Sequence, residues 1–168
     1  MNWWEDYFDE AWIIMQQHTK TTEQTEQEIA FLDYFLHTQG YRKLLDVPCS
    51  TGRIALQLAT KGFEITAMDY NAKLLEIGKK ENIQEDSHPI EWVAGDMRKL
   101  DYKETYDAVL CLFNSFGYFD DADNLAFLKG AYRALKPGGC LLIDAHVMET
   151  LLPIFTPSGF WKFDDCIV

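Results

Sequence analysis

The chain has 168 residues, 48% of them hydrophobic and 14% aromatic, which is enough for the core of one domain and excludes a disordered tail. Its 27 acidic residues outnumber its 15 basic residues, and the formal net charge is −12. Nucleic-acid binding requires a basic surface, and no Lys/Arg cluster is longer than Lys79-Lys80, so we expect no nucleic-acid partner.

The amino terminus and the cysteines indicate the cellular compartment of the protein. The stretch from Met1 to Trp12 is acidic and aromatic, unlike the basic start of a signal peptide. No run reaches the roughly 18 apolar residues of a membrane helix. The four cysteines form no CxxC pair and no zinc-type cluster with histidine. We therefore expect a cytoplasmic protein that contacts no membrane and has no metal site.

The first 40 residues predict two helices. Apolar side chains at helical spacing predict the first helix over residues 3–18. Thr22 or Thr25 is a candidate N-cap for the second helix, and Gly40 is expected to end it. We interpret residues 1–40 as a helical lid on a core that occupies residues 41–168, the whole forming a single domain.

From residue 41 onward, short apolar strands alternate with amphipathic helices. The predicted strands are 43–47, 63–69, 90–96, 106–113 and 140–146. The predicted helices are 52–61, 71–81 and 121–135, the last stopped by Pro137-Gly138-Gly139, and another helix begins at Val147. This alternation is typical of right-handed crossovers and a parallel sheet covered on both faces. It predicts a doubly wound α/β fold, in which ligands bind beyond the carboxyl ends of the strands.

Three successive predicted strands end in carboxylates, namely Asp46, Asp69 and Asp96. Phe113-Asn114 and the stretch from Asp144 to His146 end the last two strands. Buried carboxylates are costly unless they are paired. A ligand rich in hydroxyl and amine groups would satisfy them.

The stretch LLDVPCSTGR joins the first strand to its helix. Gly52 permits a close approach of helix and strand, and the helix start offers N–H groups to a ligand. A dinucleotide turn needs further glycines against the pyrophosphate, and Pro48 and Ser50 stand in two such positions. Asp69 follows Asp46 by 23 residues, close to the roughly 20 expected of a ribose-binding acid. The turn therefore indicates a nucleoside site without a pyrophosphate, which disfavours a nicotinamide-dependent oxidoreductase.

Five motifs occur in order along the chain: LLDVPCSTGR, ITAMDYN, VAGDMRKL, YDAVLCLFNSFGYF and ALKPGGCLLID. Together they resemble class I S-adenosylmethionine-dependent methyltransferases over most of the chain, from Trp3 to Leu152. The last two motifs are most similar to the small-molecule branch of glycine N-methyltransferase-like and methyltransferase domain 25-like enzymes. The resemblance implies a Rossmann-like, mostly parallel sheet, S-adenosyl-L-methionine as cofactor, S-adenosyl-L-homocysteine as product and a small-molecule methyl acceptor.

The resemblance also implies roles for individual residues. Asp46 and the backbone from Val47 to Gly52 hold the methionine part of the cofactor. Asp69 accepts hydrogen bonds from both ribose hydroxyls, and Tyr70 packs beside the adenine. Asp46 has a structural alternative, because it could serve as a capping acid for the following helix.

On the adenine side, Asp96 accepts a hydrogen bond from the adenine amino group, and the Met97 N–H faces a ring nitrogen. The alternative for Asp96 is a structural aspartate of the turn before Met97. Leu112, Phe113 and Asn114 line the sulfonium side. The implied cofactor-binding set is Tyr7, Asp46, Val47, Pro48, Cys49, Ser50, Gly52, Arg53, Asp69, Tyr70, Asp96, Met97, Leu112 and Phe113.

Four of the candidates have two interpretations each, and Arg53 has one. Tyr7 either packs on the aromatic face of the first helix or closes over the cofactor, and Arg53 is a candidate partner for the cofactor carboxylate. Asn114 and Tyr118 either organise a loop or contact the acceptor as catalytic residues. His146 is either a polar strand end or a catalytic base, which is needed only if the acceptor must lose a proton.

Members of this family usually continue past the fifth strand with a helix and an antiparallel hairpin. The chain carries strands 1–5, and we expect strands 6 and 7 to be missing. The apolar edge of the last strand would then invite pairing, for example in a homodimer. Two functions are expected: a small-molecule methyltransferase that works by in-line displacement, or a cofactor-binding module that is catalytically incomplete.

Overall fold

The structure is a computed structural model, and it describes residues 4, 7, 8, 12, 13, 15, 21–81, 88–156, 158–160 and 162. The chain divides into two compact units, one of residues 28–145 and one of residues 1–27 with residues 146–168. The separate lid over residues 1–40 stays a prediction. Most of the helix predicted over residues 3–18 lies outside the described residues.

The larger unit is built on a five-stranded sheet in which every neighbouring pair is parallel. The strands are β1 Lys43–Asp46, β2 Glu64–Asp69, β3 Ile90–Ala94, β4 Tyr106–Cys111 and β5 Leu135–Ile143. Their order is β3-β2-β1-β4-β5, which confirms the predicted doubly wound α/β fold. The order reverses between β1 and β4, and doubly wound sheets bind ligands beyond the strand ends at such a reversal.

The helices are α1 Thr22–Thr38, α2 Arg53–Thr60, α3 Ala72–Glu81, α4 Asp121–Ala134 and the short α5 Met148–Leu151, with 3₁₀ turns at Met97–Lys99 and Leu152–Ile154. The N-cap of α1 differs from the prediction. The Thr21 hydroxyl accepts from the Gln24 N–H, and the Gln24 side chain accepts from the Thr21 N–H, both at 3.1 Å. This reciprocal capping box makes Thr21 the cap, not Thr22 or Thr25.

The last strand also departs from the prediction, because β5 begins at Leu135, directly after α4, and not at Cys140. Pro137 favours extended backbone in the residue before it, so the Pro-Gly-Gly segment starts a strand. Proline is tolerated there because β5 is an outer strand of the sheet. The ladder with β4 shifts register between Tyr106 and Ala108. The homodimer expected at this edge stays a prediction.

Apolar side chains pack on both faces of the sheet. On one face, Leu44 belongs to the same buried cluster as Leu36 of α1 and Leu58 of α2. On the other face, Leu45 shares a buried cluster with Phe127 of α4. Adjacent residues of β1 therefore point to opposite layers, as the two-residue period of a strand requires.

In the smaller unit, Tyr7, Phe8 and Trp12 form ring contacts with centroids 5.2 to 5.6 Å apart. Met148 of α5 and Leu152 of the following 3₁₀ turn are exposed. Within the described part of the chain, no helix has the length and apolar character needed to cross a membrane.

The Trp92 side chain of β3 fills space beside two glycines. Gly52 precedes α2 and has a φ of 79°, and Gly78 lies within α3. A Cβ at either position would lie less than 3.0 Å from the Trp92 ring, and a Cβ at Gly78 would also meet the Thr51 carbonyl oxygen. The indole therefore fixes the spacing between α3 and the turn that follows β1.

The substitution Gly78→Ala tests this packing. Alanine is the better helix former by about 1 kcal/mol, but the added Cβ has no room, so we expect a net destabilisation of about 1–3 kcal/mol. Urea unfolding followed by circular dichroism measures it. Lys80→Ala on the exposed side of α3 is the control and should change the free energy of unfolding by less than about 0.5 kcal/mol. An unchanged or raised stability of Gly78→Ala would contradict the packing.

Candidate active site

Asp69 is the buried carboxylate at the end of β2, and it is 8% exposed. One of its oxygens accepts from the Ser50 N–H at 2.7 Å and the other from the Asn71 N–H at 2.8 Å. Burial raises the pKa of Asp69, and the N–H groups of Asn71, Ser50 and Tyr70 oppose the rise. A carboxylate offers about four acceptor positions. These bonds therefore leave acceptor capacity for a ligand.

Asp46 is the buried carboxylate at the end of β1, the central strand. Burial and then the charge of Asp69 raise the pKa of Asp46 to about 7, while Arg53 and the Ala55 N–H oppose the rise. Ala55 lies in the first turn of α2, so Asp46 also stabilises the start of this helix. This is the capping role given above as the structural alternative for Asp46. At neutral pH, Asp46 is poised between its neutral and charged forms.

The backbone of the turn after β1 forms hydrogen bonds within the protein. The Val47 N–H donates to Leu110, the Cys49 N–H to Met68 and the Gly52 N–H to Cys49, at 2.8 to 2.9 Å. With the bond from Ser50 to Asp69, four N–H groups of the turn are used in this way, and Pro48 has none. These amides are not open donors for a ligand, so the turn offers it carbonyl oxygens and side chains instead.

The Cys49 thiol lies beside both carboxylates. Burial first, and then the charges of Asp46 and Asp69, raise the pKa of this thiol far above its ordinary value. Only a thiolate is a strong nucleophile. The site therefore has no cysteine nucleophile at this position.

Asp96 follows β3 and is held by Arg98. The Arg98 guanidinium donates to both Asp96 oxygens at 2.7 to 3.1 Å, and the Arg98 backbone N–H donates at 2.9 Å. Burial pushes the pKa of Asp96 upward, but the bonds from Arg98 outweigh it and hold the pKa below its ordinary value. The same guanidinium donates to Asp123 of α4 at 2.6 Å. Asp96 is therefore a fixed, ionised acceptor.

Two further cofactor candidates flank these carboxylates. Tyr70 follows Asp69 directly and is 49% exposed. Met97 opens the 3₁₀ turn after Asp96, and its side chain is buried in the core beside α4. Only the Met97 backbone can therefore serve the role implied for it.

Phe113 and Asn114, after β4, both have left-handed backbone, with φ of 64° and 57°. The Asn114 N–H donates to the Asp144 carbonyl oxygen at 2.9 Å. The Asn114 Oδ1 is buried and has no hydrogen-bond partner among the described residues. Leu112 precedes them and is half-buried. This strained end of β4 therefore presents an unused acceptor.

The remaining candidate residues do not all lie in the larger unit. Arg53 pairs with Glu28 of α1 at 2.8 Å, and Tyr118 lies half-buried in the loop after β4. Tyr7 and His146 belong to the smaller unit, and both are exposed. The larger unit thus gathers the carboxylates and the β4 end at one edge of the sheet.

Three residues of this region were not predicted from the sequence, namely Arg98, Trp92 and Asp123. Arg98 stands two residues after Asp96, a spacing that by itself suggests only a local ion pair. Its contact with Asp123 joins segments far apart in the chain, and so does the contact of Trp92 with Gly52. No local pattern predicts these contacts.

Comparisons with known proteins identify the family of the chain. A protein-family model described as a methyltransferase domain matches residues 44–139. The putative methyltransferase YqeM of Bacillus subtilis is 33% identical over 127 residues, which cover 74% of this chain and 51% of that protein. The glycine N-methyltransferase of Rattus norvegicus is 31% identical over 145 residues, covering 79% of this chain and 50% of that protein.

Among solved structures, SAM-bound CalS10, an amino pentose methyltransferase from Micromonospora echinaspora, matches with a TM-score of 0.67 and 24% identity. The match covers 84% of this chain and 58% of that one. The chain spans about half the length of the curated relatives it matches. The family match covers more than half of the chain, in the segment that holds the buried carboxylates. The chain belongs to the class I S-adenosylmethionine-dependent methyltransferases.

Proposed function

We propose that the larger unit binds S-adenosyl-L-methionine at the carboxyl edge of its sheet and transfers the methyl group to a small-molecule acceptor. The observation that carries the proposal is the pair of buried carboxylates, Asp46 and Asp69, on adjacent central strands beside the β1–β4 reversal. Two buried acids at one edge require hydroxyl or cationic partners. The cofactor offers both.

The nucleoside part of the cofactor fits the β2 and β3 ends. Asp69 has acceptor capacity for ribose hydroxyls, and the exposed ring of Tyr70 is beside it. Asp96 is held in an ionised form by Arg98, and we assign the adenine amino group to this fixed acceptor. The residues present therefore suit an adenosine with free hydroxyls.

The methionine part fits the β1 end. The ammonium group of the methionine part is a cation. Among the carboxylates at this edge, Asp46 has the surroundings that stabilise a negative charge least. The turn after β1 uses its amides internally, so we assign its contact with the cofactor to carbonyl oxygens and side chains. Arg53 stays a candidate partner for the carboxylate group of the cofactor, because its guanidinium is a planar cation that can bind a carboxylate.

When bound, the cofactor supplies an activated methyl group on a sulfonium, which needs no nucleophilic residue from the protein. Leu112 and Phe113 then exclude water from the sulfonium side. The Asn114 Oδ1 is the acceptor that orients an N–H or O–H of the methyl acceptor. Holding the two reactants in line supplies much of the rate enhancement.

We assign the methyl acceptor to small amines. The rat relative is named a glycine N-methyltransferase, and CalS10 an amino pentose methyltransferase. A formal net charge of −12 also favours approach of cations. The second candidate function is cofactor binding without turnover, which the buried carboxylates Asp46 and Asp69 support equally well.

The proposal is tested first by calorimetric titration of the whole chain with S-adenosylmethionine, S-adenosylhomocysteine and NADH. Micromolar binding of the first two and none of NADH is the expected result. Methyl transfer to a panel of small amines then separates the enzyme from the binding module. Failure of both sulfur ligands to bind would overturn the proposal.

Asp69→Asn should weaken S-adenosylhomocysteine binding by at least about 100-fold, because hydrogen bonds to a charged acceptor contribute about 1.5–3 kcal/mol each. The amide retains one oxygen for the Ser50 or Asn71 N–H, so the fold should survive, as thermal unfolding will show. Asp101→Asn, at an exposed position, is the control and should bind as the wild type does. An unchanged affinity in Asp69→Asn would remove the basis of the proposed site.

Binding of S-adenosylhomocysteine should weaken as the pH falls. Asp46 has a pKa of about 7 in the free protein, and a bound ammonium favours its charged form, so protonation competes with binding below pH 7. We expect a loss of about tenfold from pH 8 to pH 6. The loss should be much smaller for 5′-methylthioadenosine, which lacks the ammonium, and for the Asp46→Asn variant. Equal pH profiles for Asp46→Asn and the wild type would exclude Asp46 as the cause.

A further inference from the structure

The loop of residues 112–120, which we call the acceptor-side loop, joins β4 to α4, and an arginine contacts it near each end. The guanidinium carbon of Arg53 lies 4.2 Å from the ring centroid of Phe113. That of Arg98 lies 4.6 Å from the ring centroid of Phe119. Both contacts have cation–π geometry.

Each arginine belongs to a segment of the candidate cofactor site. Arg53 is the first residue of α2 and follows the turn after β1 directly. Its Nη1 lies 2.8 Å from the Glu28 carboxylate of α1. The guanidinium therefore joins α1 and the cofactor turn to the first part of the acceptor-side loop.

Arg98 is held more firmly still. Two carboxylates, Asp96 and Asp123, take donors on different sides of its guanidinium. Such bonds lie in the plane of the group and fix its orientation, which leaves its face for the Phe119 ring. The adenine-side acceptor Asp96 is thereby connected to the far end of the acceptor-side loop.

The acceptor-side loop needs contacts of this kind because its backbone is strained. Phe113 and Asn114 occupy left-handed backbone conformations in succession. Residues other than glycine persist there only when their surroundings fix them. The bond from the Asn114 N–H to Asp144 is one such contact, and the ring contact of Phe113 with Arg53 is another.

We propose that Arg53 and Arg98 are positioning residues that set the conformation of the acceptor-side loop against the two cofactor segments. The loop carries Asn114 and Tyr118, the candidates for contact with the methyl acceptor. The proposal rests on the proposed function, because it assigns the turn after β1 and Asp96 to the cofactor. It adds the physical connection by which those segments determine the shape of the acceptor side.

The test is amide hydrogen exchange of the whole chain, read on peptides that cover residues 112–120, with and without saturating S-adenosylhomocysteine. Phe119→Leu removes the aromatic face and leaves the ion pairs of Arg98. Phe119→Tyr restores the face. Arg98→Lys and Arg53→Lys keep the charge but lose the planar group. Arg42→Lys, at an exposed position, is the matched control.

We expect Phe119→Leu, Arg98→Lys and Arg53→Lys each to speed exchange of the acceptor-side loop at least tenfold, while peptides from β1 exchange as in the wild type. Phe119→Tyr and Arg42→Lys should leave loop exchange unchanged. The double variant Arg98→Lys with Phe119→Leu should not exceed Arg98→Lys alone, since the contact that Phe119→Leu removes is already lost with the guanidinium. The S-adenosylhomocysteine affinity of Phe119→Leu should fall at least threefold, and that of Phe119→Tyr should not.

The inference would be overturned if the acceptor-side loop exchanged at the wild-type rate in Phe119→Leu and Arg98→Lys. Equal exchange rates of the loop in Phe119→Leu and Phe119→Tyr would also overturn it. The failure of the proposed function has a different signature. Wild-type protein would then show no calorimetric binding of S-adenosylhomocysteine, while exchange in the ligand-free variants would still report whether the arginines hold the loop.

Discussion

The hydrogen bond from the Ser50 N–H to the Asp69 carboxylate is the interaction on which the rest of the site depends. It joins the turn after β1 to the end of β2 and compensates a buried charge with a backbone donor. Ser50 has a positive φ of 54°, a conformation that glycine adopts with less strain. The bond that its backbone N–H donates to Asp69 helps to hold the turn in this conformation without a glycine at the position.

Gly52, by contrast, meets two requirements at once. Its φ of 79° is the left-handed conformation that glycine adopts without strain, and the Trp92 ring occupies the place of a Cβ. The second requirement comes from β3, at the far edge of the sheet. The one glycine retained in the turn is therefore explained by packing within the protein, before any contact with a cofactor is considered.

Much of the fold and part of the site could be predicted from the sequence, because they depend on local periodicity. Alternating apolar strands and helices fix a parallel sheet, and its strand ends then bring Asp46, Asp69 and Asp96 to one edge. The features that escaped prediction depend on contacts between distant segments or on competing local signals. The bond from Arg98 to Asp123 is of the first kind. The start of β5 at Leu135 is of the second, because Pro-Gly-Gly serves equally to end a helix and to begin an edge strand.

The three carboxylates at this edge of the sheet differ in pKa because their neighbours differ. This difference favours a different ligand group for each of them. Arg98 keeps Asp96 ionised, and backbone N–H groups support the charge of Asp69 against burial. Asp46 has weaker support and faces the charge of Asp69, so its pKa rises to about 7. Neutral hydroxyl and amino donors suffice for the first two. In the proposed function, a cation brought by the ligand compensates the third, so we expect the charge state of Asp46 to couple cofactor binding to pH.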